Sequence, residues 1–125
     1  MTSRSGKRLN VCAFLISGIV GAAEPEAIGE PYLDADGNHY LPLLVQPLLV
    51  FEAPAAKLKT VHERAARREV PIALYTAEMF ATGHDADNRA AVLAVAGADL
   101  DVVGIALRAP HRDADAVLRG LDRHP

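Results

Sequence analysis

The sequence predicts an α/β fold: a three-layer α/β/α sandwich in which helices cover both faces of a small mixed sheet. Short apolar runs alternate along the chain with segments of helical spacing, a pattern typical of strands joined by parallel connections. Residues 43–51 are almost continuously apolar, as expected of a strand that is covered on both faces. With 125 residues, half of them hydrophobic, the chain can bury the core of one domain.

The first predicted helix covers residues 10–22. Asn10 is a good N-cap residue, and apolar residues recur at helical spacing after it. Residues 1–8 are polar and charged, so we assign them to a short N-terminal segment ahead of a single domain over residues 9–125.

A hairpin or wide turn is predicted over residues 32–41, where turn-forming residues lie between apolar and aromatic flanks. Its acidic residues resemble the opening of a calcium loop, but His39 and Val45 stand where that loop needs glycine and glutamate. A hairpin turn is therefore favoured. In the strand over residues 43–51, Pro47 is expected near the start because proline cannot donate to a ladder.

The second predicted helix starts at Pro54, a residue suited to a first helical turn, and its apolar face contains Leu58, Val61 and Ala65. The remaining predicted elements are a strand over residues 70–76, a helix over 87–95, a strand over 102–107 and a helix over 113–121.

Composition narrows the classes of function. The formal net charge of −3 argues against nucleic acid as a partner. Cys12, the sole cysteine, lies among apolar neighbours, which indicates a packing role and a reducing, cytoplasmic location. The apolar run at residues 11–23 is shorter than the roughly 20 residues that cross a bilayer, so no membrane partner is expected. Neither metal-ligating spacing among the histidines nor a nucleotide-binding glycine loop occurs, so no metal or cofactor is expected.

The densest group of polar side chains follows the strand at residues 70–76, and ligands in open α/β folds bind at the carboxyl ends of strands. A carboxylate beside a histidine can orient the imidazole as a general base. The catalytic candidates are Glu78, His84 and Asp85. The ligand-binding candidates are Asn10, Tyr75, Thr76, Thr82, Asn88 and Arg89.

The same loop has a purely structural interpretation. Thr82 or Asp85 caps the following helix, and Asn88 with Arg89 ties the loop back to the sheet. Function can be assigned only from the geometry of a site, so both interpretations stay open at this point.

Four segments resemble the "domain of unknown function two thousand" family, and the match runs from about residue 9 to residue 125. They are residues 9–18, 29–37, 46–52 and 75–83. The resemblance implies the fold of type 2 peptidyl-tRNA hydrolase, a small mixed sheet flanked by helices. Those hydrolases carry a lysine and a glutamine on the first helix, where this chain has Asn10 and Phe14. Their aspartate after the third strand is replaced by Ala77, with Glu78 beside it. We therefore do not expect efficient hydrolysis of peptidyl-tRNA.

Both families normally begin with a strand that this chain lacks, because residues 1–8 are too polar and too short to form it. Three strands are predicted where four are expected, and an open sheet edge invites pairing with another chain. Either the start site is placed too far downstream, or the sheet keeps an open slot, in which case we expect a homo-oligomer or a poorly stable monomer.

Three functions follow from these observations. The leading hypothesis is a module that binds a small molecule or a protein through residues 75–89. One alternative is a hydrolase of acyl-tRNA or a related ester, with Glu78 and His84 as the acid and base. The other is a structural homo-oligomer in which the polar loop only stabilises itself.

Overall fold

The structure, a computed structural model, describes residues 4–46, 51–120 and 122–123. Within these residues the chain is a mixed α/β protein, as predicted. The helices are α1 (Arg4–Ala22), α2 (Ala55–Arg67), α3 (Asp85–Leu93) and α4 (His111–Leu118). The strands are β1 (Tyr32–Leu33), β2 (His39–Tyr40), β3 (Phe51–Glu52), β4 (Ile72–Thr76), β5 (Val102–Leu107) and β6 (Asp122–Arg123). Short 3-10 helices occur at Pro25–Ala27, Ala77–Ala81 and Gly97–Asp99.

The longest strand pairing joins β4 to β5, with Ile72 opposite Leu107 and Thr76 opposite Val102. The predicted parallel pairing is not found in the described part of the chain, where β1–β2, β3–β6 and β4–β5 are all antiparallel. The connection between β4 and β5 explains the difference. Helix α3 contacts mainly the 3-10 helix Ala77–Ala81 and does not cross a sheet face, so the chain re-enters the sheet at the end it left.

Helix α1 covers one face of the β4–β5 pair at close range. Its residues Val11 and Leu15 are buried, and both lie over Gly104 of β5. A Cβ atom on Gly104 would lie 2.8 Å from Cγ1 of Val11 and 3.0 Å from Cδ1 of Leu15. The missing side chain at Gly104 is thus what allows α1 to approach the sheet so closely.

The opposite face carries the main hydrophobic core. Val61 and Ala65 of α2 and Val117 of α4 are almost completely buried. Ile105 and Leu107 of β5 pack against them, one strand position away from the face that Gly104 shows to α1. The apolar face predicted for the second helix is confirmed, and helices cover both faces of the β4–β5 pair.

Several boundaries differ from those predicted. Helix α1 begins at Arg4, so Asn10 lies inside the helix and is not its N-cap. Residues 4–9 contain no proline and are mostly good helix formers, so the helix extends through the stretch predicted to precede it. Pro54 is the N-cap of α2, one position before the first turn. Of the strand predicted over residues 43–51, residues 47–50, including Pro47, lie outside the described residues, while Leu44 forms a single bridge with Ile28 and Phe51 begins β3.

The predicted hairpin is confirmed and is longer than its two named strands. Tyr32 faces Tyr40 and Leu33 faces His39 near the tip. Nearer the base, Ile28 pairs with Leu44, and the chain is joined again by a hydrogen bond from Val45 N to Ala27 O at 2.9 Å. We call residues 27–45 the hairpin arm.

Candidate functional site

Three aromatic rings meet where β4 ends. The ring centroid of Tyr75 lies 6.1 Å from that of Phe14 on α1 and 5.3 Å from that of Phe80. Both distances are in the range of attractive ring pairs. Phe14 is 63% exposed and Phe80 is 49% exposed. We call Phe14, Tyr75 and Phe80 the aromatic cluster.

A tight turn after β4 brings Phe80 back towards Tyr75. The chain enters the 3-10 helix Ala77–Ala81 at once, and Thr76 N donates to the sulfur of Met79 at 3.4 Å. The Thr76 side chain is completely buried. Its hydroxyl faces the Met79 backbone as in a capping box, but it makes no hydrogen bond of ordinary geometry. Thr76, predicted to contact a ligand, therefore lies inside the protein.

The carboxylate of Glu78 is directed towards the start of β5. Its Oε1 accepts a hydrogen bond from Asp101 N at 3.4 Å, next to a bond from Ala77 N to Asp101 O at 2.8 Å. These two contacts hold the beginning of the 3-10 turn to the residue before β5. In this structure the Glu78 carboxylate therefore hydrogen-bonds to the backbone.

The other polar candidates pair with one another. The Thr82 hydroxyl donates to Met79 O at 3.0 Å and also contacts Oδ1 of Asn88. On the surface of α3, Arg89 forms an ion pair with Asp85 at 2.6 Å, one helical turn apart. The contact between Thr82 and Asn88 ties the loop to α3, and Asp85 and Arg89 pair within α3, so these polar residues largely satisfy each other.

His84 occupies the N-cap position of α3, where Thr82 or Asp85 was predicted, because the helix begins at Asp85. Its carbonyl accepts from Asn88 N at 3.0 Å, while its exposed side chain makes no cap. In the described part of the chain, no hydrogen bond or ion pair joins His84 to Glu78 or to Asp85. The catalytic role of Glu78 and His84 therefore stays a prediction.

Asn10 is the remaining candidate, and its exposed side chain lies one helical turn before Phe14. The two residues share a face of α1, so Asn10 stands beside the aromatic cluster. Phe14 and Phe80 were missing from the predicted ligand contacts. Phe14 could have been included because it stands at a position where the similar hydrolases have a glutamine. Phe80 could have been included because it is an aromatic residue shortly after a predicted strand.

Two surface grooves lie elsewhere. One, of about 280 Å³, is lined by Gln46, Arg108, Ala109 and Pro110. The other, of about 210 Å³, lies between α2 and the end of α4. Their basic groups are already engaged, because Arg108 pairs with Glu24 at 2.7 Å and Arg64 donates to Arg119 O at 2.7 Å. Neither groove includes the aromatic cluster.

Two further classes of feature are missing from the described residues. No three histidine, cysteine, aspartate or glutamate side chains are placed together to hold a metal ion. None of the helices in residues 4–46, 51–120 and 122–123 combines the length and apolar character needed to cross a membrane.

The chain is similar to proteins whose function is unknown. A solved structure of a protein of unknown function from Agrobacterium tumefaciens is 44% identical in sequence and has a TM-score of 0.91, covering 95% of this chain and 87% of that chain. No curated protein matched. The family model described as "Protein of unknown function (DUF2000)" matches residues 2–125, in agreement with the resemblance noted in the sequence. Since this match extends over almost the whole chain, the protein belongs to the DUF2000 family.

Proposed function

We propose that this protein is a noncatalytic binding module whose binding surface is the aromatic cluster, and that its ligand is a small molecule with a planar apolar ring. The observation that carries the proposal is the exposure of Phe14 and Phe80 on either side of Tyr75. Few large apolar side chains on a protein surface stand together without a partner or ligand.

The chemistry of the cluster suits a ring-shaped ligand. The ring pairs are tilted by 40° and 52°, and the exposed rings of Phe14 and Phe80 are accessible to a ligand. A planar ligand that packs on them gains about 0.5–1.5 kcal/mol per aromatic contact beyond the burial of area. Asn10, one turn before Phe14, supplies an exposed amide that can donate and accept hydrogen bonds at the edge of the ring.

The surrounding polar groups support binding over catalysis. Asp85 pairs with Arg89, Thr82 with Asn88, and Glu78 with the backbone of Asp101. A general base has to reach the proton that it abstracts, and no candidate here is paired with a nucleophile. The polar loop therefore acts as the scaffold that holds Phe80 against Tyr75.

The resemblance to type 2 peptidyl-tRNA hydrolase points to the same region with different chemistry. Helices on both faces of β4 and β5 support our proposal that the two proteins share a fold. In the hydrolases the corresponding positions of α1 carry lysine and glutamine, whereas Asn10 and Phe14 occupy them here. The lysine, a positive donor that can stabilise developing negative charge, is thus replaced by the neutral amide of Asn10. The glutamine is replaced by the aromatic ring of Phe14.

A ligand-stabilisation screen tests the proposal. A compound that binds only the folded state raises the melting temperature. At a concentration one hundred times its Kd, it increases the free energy of unfolding by about 2.7 kcal/mol. Planar heteroaromatic compounds are expected to stabilise the wild-type protein and to lose this effect in Phe80→Ala. Leu93→Ala is the matched control, because Leu93 is an exposed apolar residue of α3 outside the cluster.

Two results would count against a binding module at this surface. One is a compound that stabilises Phe80→Ala as strongly as the wild type, since the ligand then binds elsewhere. The other is hydrolysis of an acyl-tRNA ester by the purified protein that disappears in Glu78→Gln or His84→Ala. That second result would establish the hydrolase alternative.

A further inference from the structure

The hairpin arm is anchored to the domain at its base only. Ala27 is buried there, and Glu24, just before the arm, forms two hydrogen bonds with the Arg108 guanidinium at 2.7 and 2.9 Å. Beyond the base, every residue from 30 to 41 is exposed. Six residues of a strand extend about 20 Å, so the arm projects well away from β4 and β5.

The tip of the arm has a defined structure. The Asp34 carboxylate accepts hydrogen bonds from Asp36 N and Asn38 N, each at 2.9 Å, and from the Tyr40 hydroxyl at 2.7 Å. Gly37 takes the left-handed backbone conformation with φ of 84°, which glycine adopts without strain. The tip is thus held in one conformation by its own side chains, and little ordering is left to be done on binding.

The exposed side chains of this rigid arm are largely apolar. Six large residues between positions 32 and 45 each expose more than half of their surface: Tyr32, Leu33, Tyr40, Leu41, Leu43 and Val45. Strand alternation puts Leu33, Leu41, Leu43 and Val45 on one face of the hairpin and Tyr32 and Tyr40 on the other. The four aliphatic side chains leave roughly 450 Å² per chain in contact with water, more than half of the roughly 800 Å² that each partner contributes to a standard stable interface. An apolar patch of this size on a protein surface is often functional.

We propose that the hairpin arm packs against the hairpin arm of a second copy of this chain, so that the protein is a homodimer. Two such faces together bury roughly 900 Å² of apolar side chain, and flanking residues of the arms would add the rest of an interface of about 1,200 Å². This interface is separate from the aromatic cluster and does not depend on the proposed binding function.

A second copy fits the arm better than an unrelated partner because the arm is complementary to itself. By strand alternation, positions 29, 31, 33, 39, 41, 43 and 45 share one face, and none of them is an aspartate, glutamate, lysine or arginine that would repel its own copy. Two such faces packed on each other across a two-fold axis place Leu41 of both copies in the interface.

Sedimentation velocity over a concentration series tests the proposal on the full chain. The wild type is expected to dimerise, and Leu41→Lys, at a position that is 85% exposed, is expected to raise the dimer Kd by roughly ten- to hundredfold. Leu93→Lys is the matched control, because Leu93 is 87% exposed on α3, and its dimer should be unchanged. Circular dichroism should show the same fold in both variants.

A mixing experiment tests contact between the two arms. Leu41→Lys and Leu41→Glu are each expected to be monomeric alone and to form a mixed dimer when combined, because the charges then attract. A wild-type chain that stays monomeric up to about 1 mM would overturn the proposal. The arm would then be a binding surface for a different protein. Loss of the dimer in Leu93→Lys with retention in Leu41→Lys would also overturn it, as would failure of the two Leu41 variants to associate.

Discussion

Gly104→Ala tests whether the close approach of α1 to the sheet is a structural requirement. The added methyl group would lie 2.8 Å from Cγ1 of Val11, roughly 0.7 Å inside the shortest favourable carbon contact of about 3.5 Å. It would also lie 3.0 Å from Leu15, so one shift of a side chain cannot relieve both contacts. We expect a loss of about 1–3 kcal/mol in the free energy of unfolding, the usual cost of overpacking.

Urea unfolding followed by far-ultraviolet circular dichroism measures this loss. Gly21→Ala is the matched control on α1 itself, because nothing lies within 4 Å of its added Cβ. That change should stabilise the protein by about 0.5–1 kcal/mol, since alanine is the better helix former. The two substitutions add the same methyl group and are expected to change stability in opposite directions.

A double substitution identifies the clash as the cause. Val11→Ala removes the atom nearest to the new methyl group, so Gly104→Ala should cost less in the Val11→Ala background than alone. If Gly104→Ala leaves the unfolding free energy within about 0.5 kcal/mol of the wild type, the packing of α1 on β5 described above is wrong.

Three further predictions concern the core, the arm and the polar loop. Val61→Ala should destabilise the protein by about 2 kcal/mol in urea unfolding, because the side chain is 2% exposed, and a change below about 0.5 kcal/mol would contradict its place in the core. Hydrogen bonds from Arg108 lower the pKa of Glu24 from 4.5 to about 2, so its stabilising contribution is complete above pH 4.5 and is lost as the pH falls towards 2. In an acid titration of stability, Glu24→Gln should therefore lose less than the wild type over that interval, and parallel curves would refute this. Asp85→Ala should change stability by less than about 1 kcal/mol, because the ion pair with Arg89 is exposed to solvent, and a larger loss would show that the pair holds the loop.

Much of the fold could be predicted from periodicity. The buried face of α2 followed from the helical spacing of Val61 and Ala65, and β5 has the predicted bounds of residues 102–107. The direction of strand pairing could not be predicted from periodicity, because a chain of alternating strands and helices is compatible with both parallel and antiparallel pairing. What decided the outcome was the packing of α3 against Ala77–Ala81, a tertiary contact that no local pattern encodes.

The position of the polar loop in the fold could be predicted from the sequence, whereas the contacts of its side chains could not. Tyr75 does lie at the end of β4, where ligand sites are common in α/β folds. The list of polar candidates could not distinguish groups that face a ligand from groups that satisfy each other, as Asp85 and Arg89 do. Phe14 meets Tyr75 only because α1 packs on β4, and the long sequence separation between the two residues hides that contact.

The placement of α3 has a consequence for local opening of the protein. No residue of α3 is fully buried, and its main contacts are with the 3-10 helix that precedes it. The segment between β4 and β5 can thus form a cooperative unit that unfolds at a lower free energy than the strands on either side. Its backbone amides should exchange with solvent deuterium while those of the β4–β5 ladder stay protected. A ligand held against Phe80 would slow that exchange, and this slowing would report occupancy of the site without any assay of activity.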